Sequence, residues 1–207
     1  MPNDAEVAWV ELPPRGGWAA IEERLRSLTG RSRVVVVRVP TSLDDAGAPR
    51  DLPARERVIA RLASPDTVFV ALVDAPCAGG ALAMALSCDL LLADENAEFS
   101  FSARELFGAL ARLVRTVGHA RALELCLTGR RVPAVEAAAL GLVNLVVAAG
   151  QVVDAVDDLA AALLATPREV ATEAKRALLA ASSENEPQGK ISLSEELAAI
   201  VRLAGDD

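Results

Sequence analysis

The chain has 207 residues, more than half of them apolar, with few aromatics, no tyrosine and a net charge of −8. That length suits one domain with a real core. The apolar share, mostly Ala, Val and Leu, excludes a disordered chain, and the acidic balance weighs against nucleic acid or an anionic membrane as main partner. No run has the unbroken apolar length of a membrane span, and MPNDAEVAWVELPP lacks the basic start and apolar block of a signal peptide. Cys77, Cys88 and Cys126 sit in apolar contexts without metal-ligand spacing. The expectation is a cytoplasmic protein with reduced thiols and no metal.

Val7 to Leu12 alternates loosely, as a short strand does, and Pro13-Pro14-Arg15-Gly16-Gly17 ends it. Trp18, Ile21, Leu25 and Leu28 recur at helical spacing with charged residues between them, which predicts an amphipathic helix. Arg33 to Val39 is β-branched and apolar, the composition of a parallel strand covered on both faces. A loop rich in Asp, Ala, Gly and Pro (Pro40 to Pro53) leads to a short helix over Ala54 to Ala63. This alternation of helix and apolar strand is α/β grammar.

The centre of the chain is Val68 to Gly108. Val68 to Val73 reads as a buried strand, Cys77-Ala78-Gly79-Gly80 as a small-residue corner, and Ala81 to Ser87 as a helix buried on nearly all sides. Leu90 to Ala93 starts another strand, followed by a turn at Asp94-Glu95-Asn96 and an extended piece over Glu98 to Phe101. A Gly-Gly corner opening a buried helix offers backbone N–H groups to a group that carries or develops negative charge. Beyond it, Leu106 to Val117 and Ala120 to Leu127 read as helices, and Thr128 to Pro133 as a loop. Ala134 to Leu140 is a short helix, and Leu142 to Val147 a last strand. Gln151 to Ala181 is helical with a break near Thr166-Pro167; Ser182 to Lys190 is a polar linker, and Leu193 to Leu203 a final amphipathic helix. A helix of that kind at a chain end often packs on a neighbouring subunit.

Three stretches in order resemble the crotonase (enoyl-CoA hydratase/isomerase) superfamily: Ala46-Gly47-Ala48, then AGGALAMALSCDLLLADENAEFSF over Ala78 to Phe101, then VGHARALELCLTGRRVPAVEAAALGLVNLVV over Val117 to Val147. Within the superfamily, the central stretch looks most like hydratase homologues of polyketide β-branching clusters. The resemblance implies an α/β crotonase-like ββα superhelix over residues 1–150, shortened at its N-terminus, and a C-terminal helical trimerisation region over 151–207. The assembly it implies is a homotrimer or a hexamer. The ligand is an acyl thioester on CoA or on the phosphopantetheine of an acyl carrier protein, with no further cofactor.

Matching motif to motif, the resemblance places the two enolate-stabilising amides of an oxyanion hole at Ala48 and Gly80, with Ala46, Gly47, Gly79, Ala83 and Ala103 in the substrate pocket. Two glutamates serve the family's hydratases as acid and base, because moving water needs a proton moved at each end. Their places fall at Ala83 and Ala103, neither of which titrates. Glu105, two residues beyond Ala103, is the candidate for a single acid/base. The expected activity is hydration or dehydration of an enoyl or β-hydroxy thioester. The alternatives are a decarboxylase, in which the departing carboxyl group supplies the carbanion, and an accessory subunit that binds thioesters without turnover. His119, the sole histidine, matches a family position with no catalytic role. Asp89 and Asp94 read as turn caps, and Arg130-Arg131 as a solvated loop that could meet a CoA or phosphopantetheine phosphate.

Overall fold

The computed structural model describes residues 6–12, 17–28, 30–41, 43, 52–102, 106 and 109–184. Five strands form one parallel sheet: β1 (Val7–Glu11), β2 (Val34–Arg38), β3 (Val68–Val73), β5 (Leu90–Asp94) and β8 (Leu145–Val147), in the spatial order β1-β2-β3-β5-β8. A smaller sheet contains β4 (Cys77–Ala78), β6 (Glu98–Ser100) and β7 (Arg131–Pro133) in the order β4-β6-β7. β3 and β5 each feed a strand of the large sheet into a strand of the small one before a helix follows, so the chain climbs in ββα steps. This is the crotonase-like α/β superhelix. The first two strands lead straight to α1 (Gly17–Leu28) and α2 (Leu52–Leu62), with no small-sheet strand among the described residues.

The valine run of β2 is apolar without alternation because both faces of its strand are covered. Val35 and Val37 point to the main core with Phe69, Ala71 and Val73, against Trp18, Ile21 and Leu25 of α1 and Val58 and Leu62 of α2. Val34 and Val36 point the other way with Val70, Leu72 and Leu92, under Val156 and Leu163 of α7 (Val152–Ala165). Helix α7 therefore closes the second face, and α8 (Arg168–Glu184) follows it.

One arginine from each side pins this helix pair to the sheet's amino edge. Arg33 donates to the carbonyls of Leu164 and Thr166, and Arg168 donates to the carbonyl of Gly30 at 3.0 Å. The final helix expected over Leu193 to Leu203 lies outside the described residues.

Three expectations need correction. Arg131-Val132-Pro133 is a strand paired antiparallel to β6 rather than part of a loop. Pro133 is tolerated because it closes that strand and caps the helix after it. Cys77-Ala78 is a strand paired to Phe99-Ser100 rather than a bare corner. Helix α4 runs over Leu110–Val117, starting later than Leu106, with Ala109 as its N-cap.

Candidate functional site

Helix α3 (Gly79–Ser87) is the best-buried helix of the fold, with every residue from Gly80 to Leu86 buried. Its side chains from Ala81 to Leu86 are all apolar and share the main core with Phe69, Ala71 and Val73 of β3. The strand β4 delivers the chain to it with Ala78 extended (φ −147°, ψ 170°). Gly79 then turns at φ +58°, a conformation that L side chains rarely adopt. Gly80 is the second residue of the helix, where a backbone N–H has no acceptor in the preceding turn. No side chain caps this end. An anion or developing oxyanion seated here would meet backbone donors and the positive end of the helix dipole.

Because β3 and α3 run in opposite directions, the amino end of α3 lies at the carboxyl edge of the parallel sheet, where α/β folds open their ligand crevices. A crevice of about 310 Å³ lies along that edge, bounded by Glu11, Leu12, Arg38, Thr41 and Asp74. Arg38 spans it, with Nε donating to Asp74 Oδ2 at 2.8 Å and Nη1 to Glu11 Oε1 at 3.4 Å. Asp74 stands at the exit of β3, six residues before Gly80.

Ala83 lies one turn into α3, fully buried in the main core, so no titratable group stands there. The Ser87 hydroxyl donates to its carbonyl at 2.7 Å. Ala46, Gly47, Ala48, Ala103 and Glu105 lie outside the described residues. The flanks of the last two are described. Phe101 and Leu106 are buried, and the Leu106 N–H donates to the Ser102 carbonyl at 3.1 Å.

The carboxyl end of α3 holds a network that sequence reasoning missed. Lys175 of α8 is buried, and its ammonium donates to Asp89 Oδ2 at 2.7 Å, to the Thr67 carbonyl at 2.8 Å and to the Leu62 carbonyl at 3.2 Å. It sits 5.4 Å from the centre of the Phe69 ring. The same Asp89 oxygen accepts the Phe69 N–H at 2.8 Å. Asp89 is thus a clamp between α3, β3 and α8 rather than a turn cap. Burial pushes its carboxyl above the usual aspartate range, against the pull of Lys175. Arg112 of α4 lies over the Ser87 and Asp89 carbonyls at 3.4 Å each. The available signal was a lysine set among alanines and leucines in a C-terminal helix.

Asp94 behaves as its position predicts, accepting the Asn96 N–H at 2.8 Å. Arg130 is held by Glu124 and Glu136, and Arg131 by Glu98, so the charges of both are already met. His119 is exposed at the start of α5 (His119–Thr128). Cys77 and Cys88 are buried, and desolvation pushes both thiols up to about 12. Among the described residues no group of His, Cys, Asp and Glu could hold a metal ion, and no helix is long and apolar enough to cross a membrane.

The arrangement of two sheets, buried α3 and Gly-Gly turn defines a class, and comparison with known proteins agrees with it. The enoyl-CoA hydratase/isomerase family model matches residues 53–198, and the chain belongs to that family within the crotonase superfamily. A Mycobacterium leprae protein named probable enoyl-CoA hydratase echA8 is 34% identical over 123 residues, which are 57% of this chain and 48% of the relative. The chain spans about half the length, or less, of the curated relatives it matches.

Among solved structures, a candidate enoyl-CoA hydratase of Thermobifida fusca in complex with CoA superposes with a TM-score of 0.75 at 28% identity, covering 98% of this chain and 91% of the other. A monofunctional enoyl-CoA isomerase of M. smegmatis superposes with a TM-score of 0.73 at 28% identity, covering 88% and 92%.

Proposed function

We propose that the chain binds an acyl thioester at the carboxyl edge of its large sheet and stabilises the thioester enolate with the backbone amides of Gly80 and Ala48. Gly79 shapes the turn, and Ala46, Gly47 and Ala103 line the pocket, whereas Ala83, expected beside them, is packed into the main core. The observation that carries this reading is the uncapped amino end of α3, where Gly80 follows a positive-φ glycine in a buried setting. Donors aimed at developing charge in a site shielded from water are worth about 3–4 kcal/mol each. CoA is the favoured carrier, because the Thermobifida fusca neighbour carries it. The phosphopantetheine of a carrier protein, as in polyketide biosynthesis, is the other carrier to test. No further cofactor enters the reaction. The working form is a cytoplasmic trimer or hexamer, with 151–207 contributing to assembly.

For the reaction we favour hydration or dehydration with Glu105 as the single acid/base; an isomerase would use the same enolate and the same proton carrier. A second reading is favoured by Ala83, which leaves a fully buried apolar surface where a carboxylate would act. In that reading the protein is a decarboxylase relying on the amide pair alone, or an accessory subunit that binds without turnover. Assays with a 2-enoyl-CoA, a 3-enoyl-CoA, a β-hydroxyacyl-CoA and a β-carboxyacyl-CoA, followed by mass spectrometry, separate these outcomes. Carrier-protein forms of the same acyl groups run in parallel. Water addition abolished by Glu105→Gln is the result expected. Thioester binding without any product leaves the accessory reading, and failure to bind any thioester overturns the whole proposal.

A further inference from the structure

Three strands of the large sheet end on one cluster of charges. Arg38 is the last residue of β2, and Glu11, the last of β1, stands opposite it in the register. Asp74 is the first residue beyond β3. Arg38 reaches to it with Nε donating to Oδ2 at 2.8 Å and Nη2 donating to the same oxygen. These are charge-assisted bonds, whereas Nη1 meets Glu11 only at 3.4 Å. The backbone ladder between β2 and β3 has already ended, at the 2.9 Å bond from the Val39 N–H to the Leu72 carbonyl. The side-chain pair carries the connection past the ladder.

What lies past the ladder gives the pair its meaning. Asp74-Ala75-Pro76 is the whole link between β3 of the large sheet and β4 of the small one, and β4 runs directly into Gly79 and Gly80. No residue of the link is buried: Asp74 and Ala75 are half-buried and Pro76 is exposed. Pro76 also has no N–H with which to tie the link down. Core packing resumes only at Cys77. On the β2 side the chain leaves Arg38 through Val39 and Pro40, and Pro40 and Ala75 border the same crevice. We infer that Arg38 and Asp74 are positioning residues: their clasp fixes the β3–β4 link against β2 and so keeps the Gly80 amide aimed at a thioester carbonyl.

The inference rests on the thioester reading above and adds to it the contact that holds the donor in place. Two other roles for the pair fit the structure less well. Its side chains are 51% and 22% exposed, and ion pairs so open to water add little to the stability of a whole fold, so the effect of this one is local. As a direct ligand for a carrier phosphate, Arg38 would bring the carboxylates of Asp74 and Glu11 toward the incoming anion, and like charges repel. A brace needs neither global stability nor a free cation. It matters because misplacing a reacting group by about 1 Å can cost about 10²-fold in rate.

Arg38→Gln, Asp74→Asn and the double variant of the full-length chain test it. The probe is butyryl-CoA, isotope-labelled at the thioester carbonyl and observed by infrared difference spectroscopy when bound. In the wild-type protein the amide donors should move the carbonyl band to lower frequency. Each single variant should lose most of that shift, and the double variant no more than either, because all three break one contact. Affinity for butyryl-CoA and the urea midpoint should stay near wild type. On any thioester that is turned over, kcat should fall about tenfold or more with KM kept. A wild-type shift that the variants retain overturns this inference alone. So does a loss of affinity confined to Arg38→Gln, which would make Arg38 a ligand contact, or a shift lost only in step with the urea midpoint. No shift in the wild-type protein overturns the thioester reading and this inference with it.

Discussion

At its amino end α3 meets the rest of the molecule with bare backbone; at its carboxyl end it is met by Asp89, Lys175 and Arg112. At the first end no described side chain caps the N–H groups, the donors that the proposed function assigns to a thioester. At the second, three structural elements and a buried ion pair set where the helix lies. A helix that holds the Gly80 amide for the proposed reaction is best anchored at the end where no ligand comes. The difference teaches that rigidity and binding capacity are separated along nine residues, and substitutions at the two ends should fail in different ways.

The largest effect belongs to the anchored end. Lys175→Met leaves Asp89 buried without its cation and should lower the unfolding free energy by about 3–5 kcal/mol, measured by urea denaturation. Adding Asp89→Asn should recover part of the loss. The penalty also has a pH signature. Asp89 titrates above the usual aspartate range because it is buried, so its contribution to stability is fullest below that range and is lost as pH rises through the raised value. Without Lys175 the loss should therefore deepen between about pH 4 and about pH 7. An equal penalty at both pH values would break the assignment.

The open end should respond in rate more than in stability. Gly80→Pro removes one N–H in the first helical turn, where proline is tolerated. It should cost about 10²–10³ in kcat on the thioester substrate, more than the loss of about 1–3 kcal/mol in stability expected from the ring at a buried position would explain. Matched losses of rate and stability would mean that Gly80 only packs. Between the ends, Ala83→Glu forces a carboxylate into a filled core and should destabilise by about 1–3 kcal/mol from overpacking alone. Hydratase activity gained by that variant would show that the pocket needed only the missing acid. The smallest effect is a silence. Cys77 and Cys88 should resist alkylation at about pH 8 until urea exposes them, because burial disfavours their thiolates. Rapid labelling of either in the folded protein would contradict the tight packing around α3.

The sequence was most legible where one residue's neighbours in the chain are also its neighbours in space. The valine run of β2 announced a strand buried on both faces, and Gly79-Gly80 before a run of alanines announced the open helix end. Pro133 hid β7, because a three-residue strand that ends in proline carries almost no periodic signal. The Asp89–Lys175 clamp was illegible for a different reason. Its members are 86 residues apart, and nothing local to either marks the other. Sequence therefore favours elements and turns, whereas the pairing of a buried charge with its partner is a property of the assembled fold. Ala48 and Glu105 rest on family resemblance alone.

The reach of Lys175 has a consequence for the protein's synthesis. Strands β1, β2 and β3 pair in the order in which they leave the ribosome, and β5 joins next, so the sheet can grow as the chain lengthens. Lys175, however, closes on a carbonyl 113 residues earlier, at Leu62, and on Asp89. Until that lysine emerges, Asp89 lacks the ammonium that meets its carboxylate in the finished fold. A chain cut before α8 leaves Asp89 without its buried cation, so it should lose at least the stability that Lys175→Met loses, before any activity is considered.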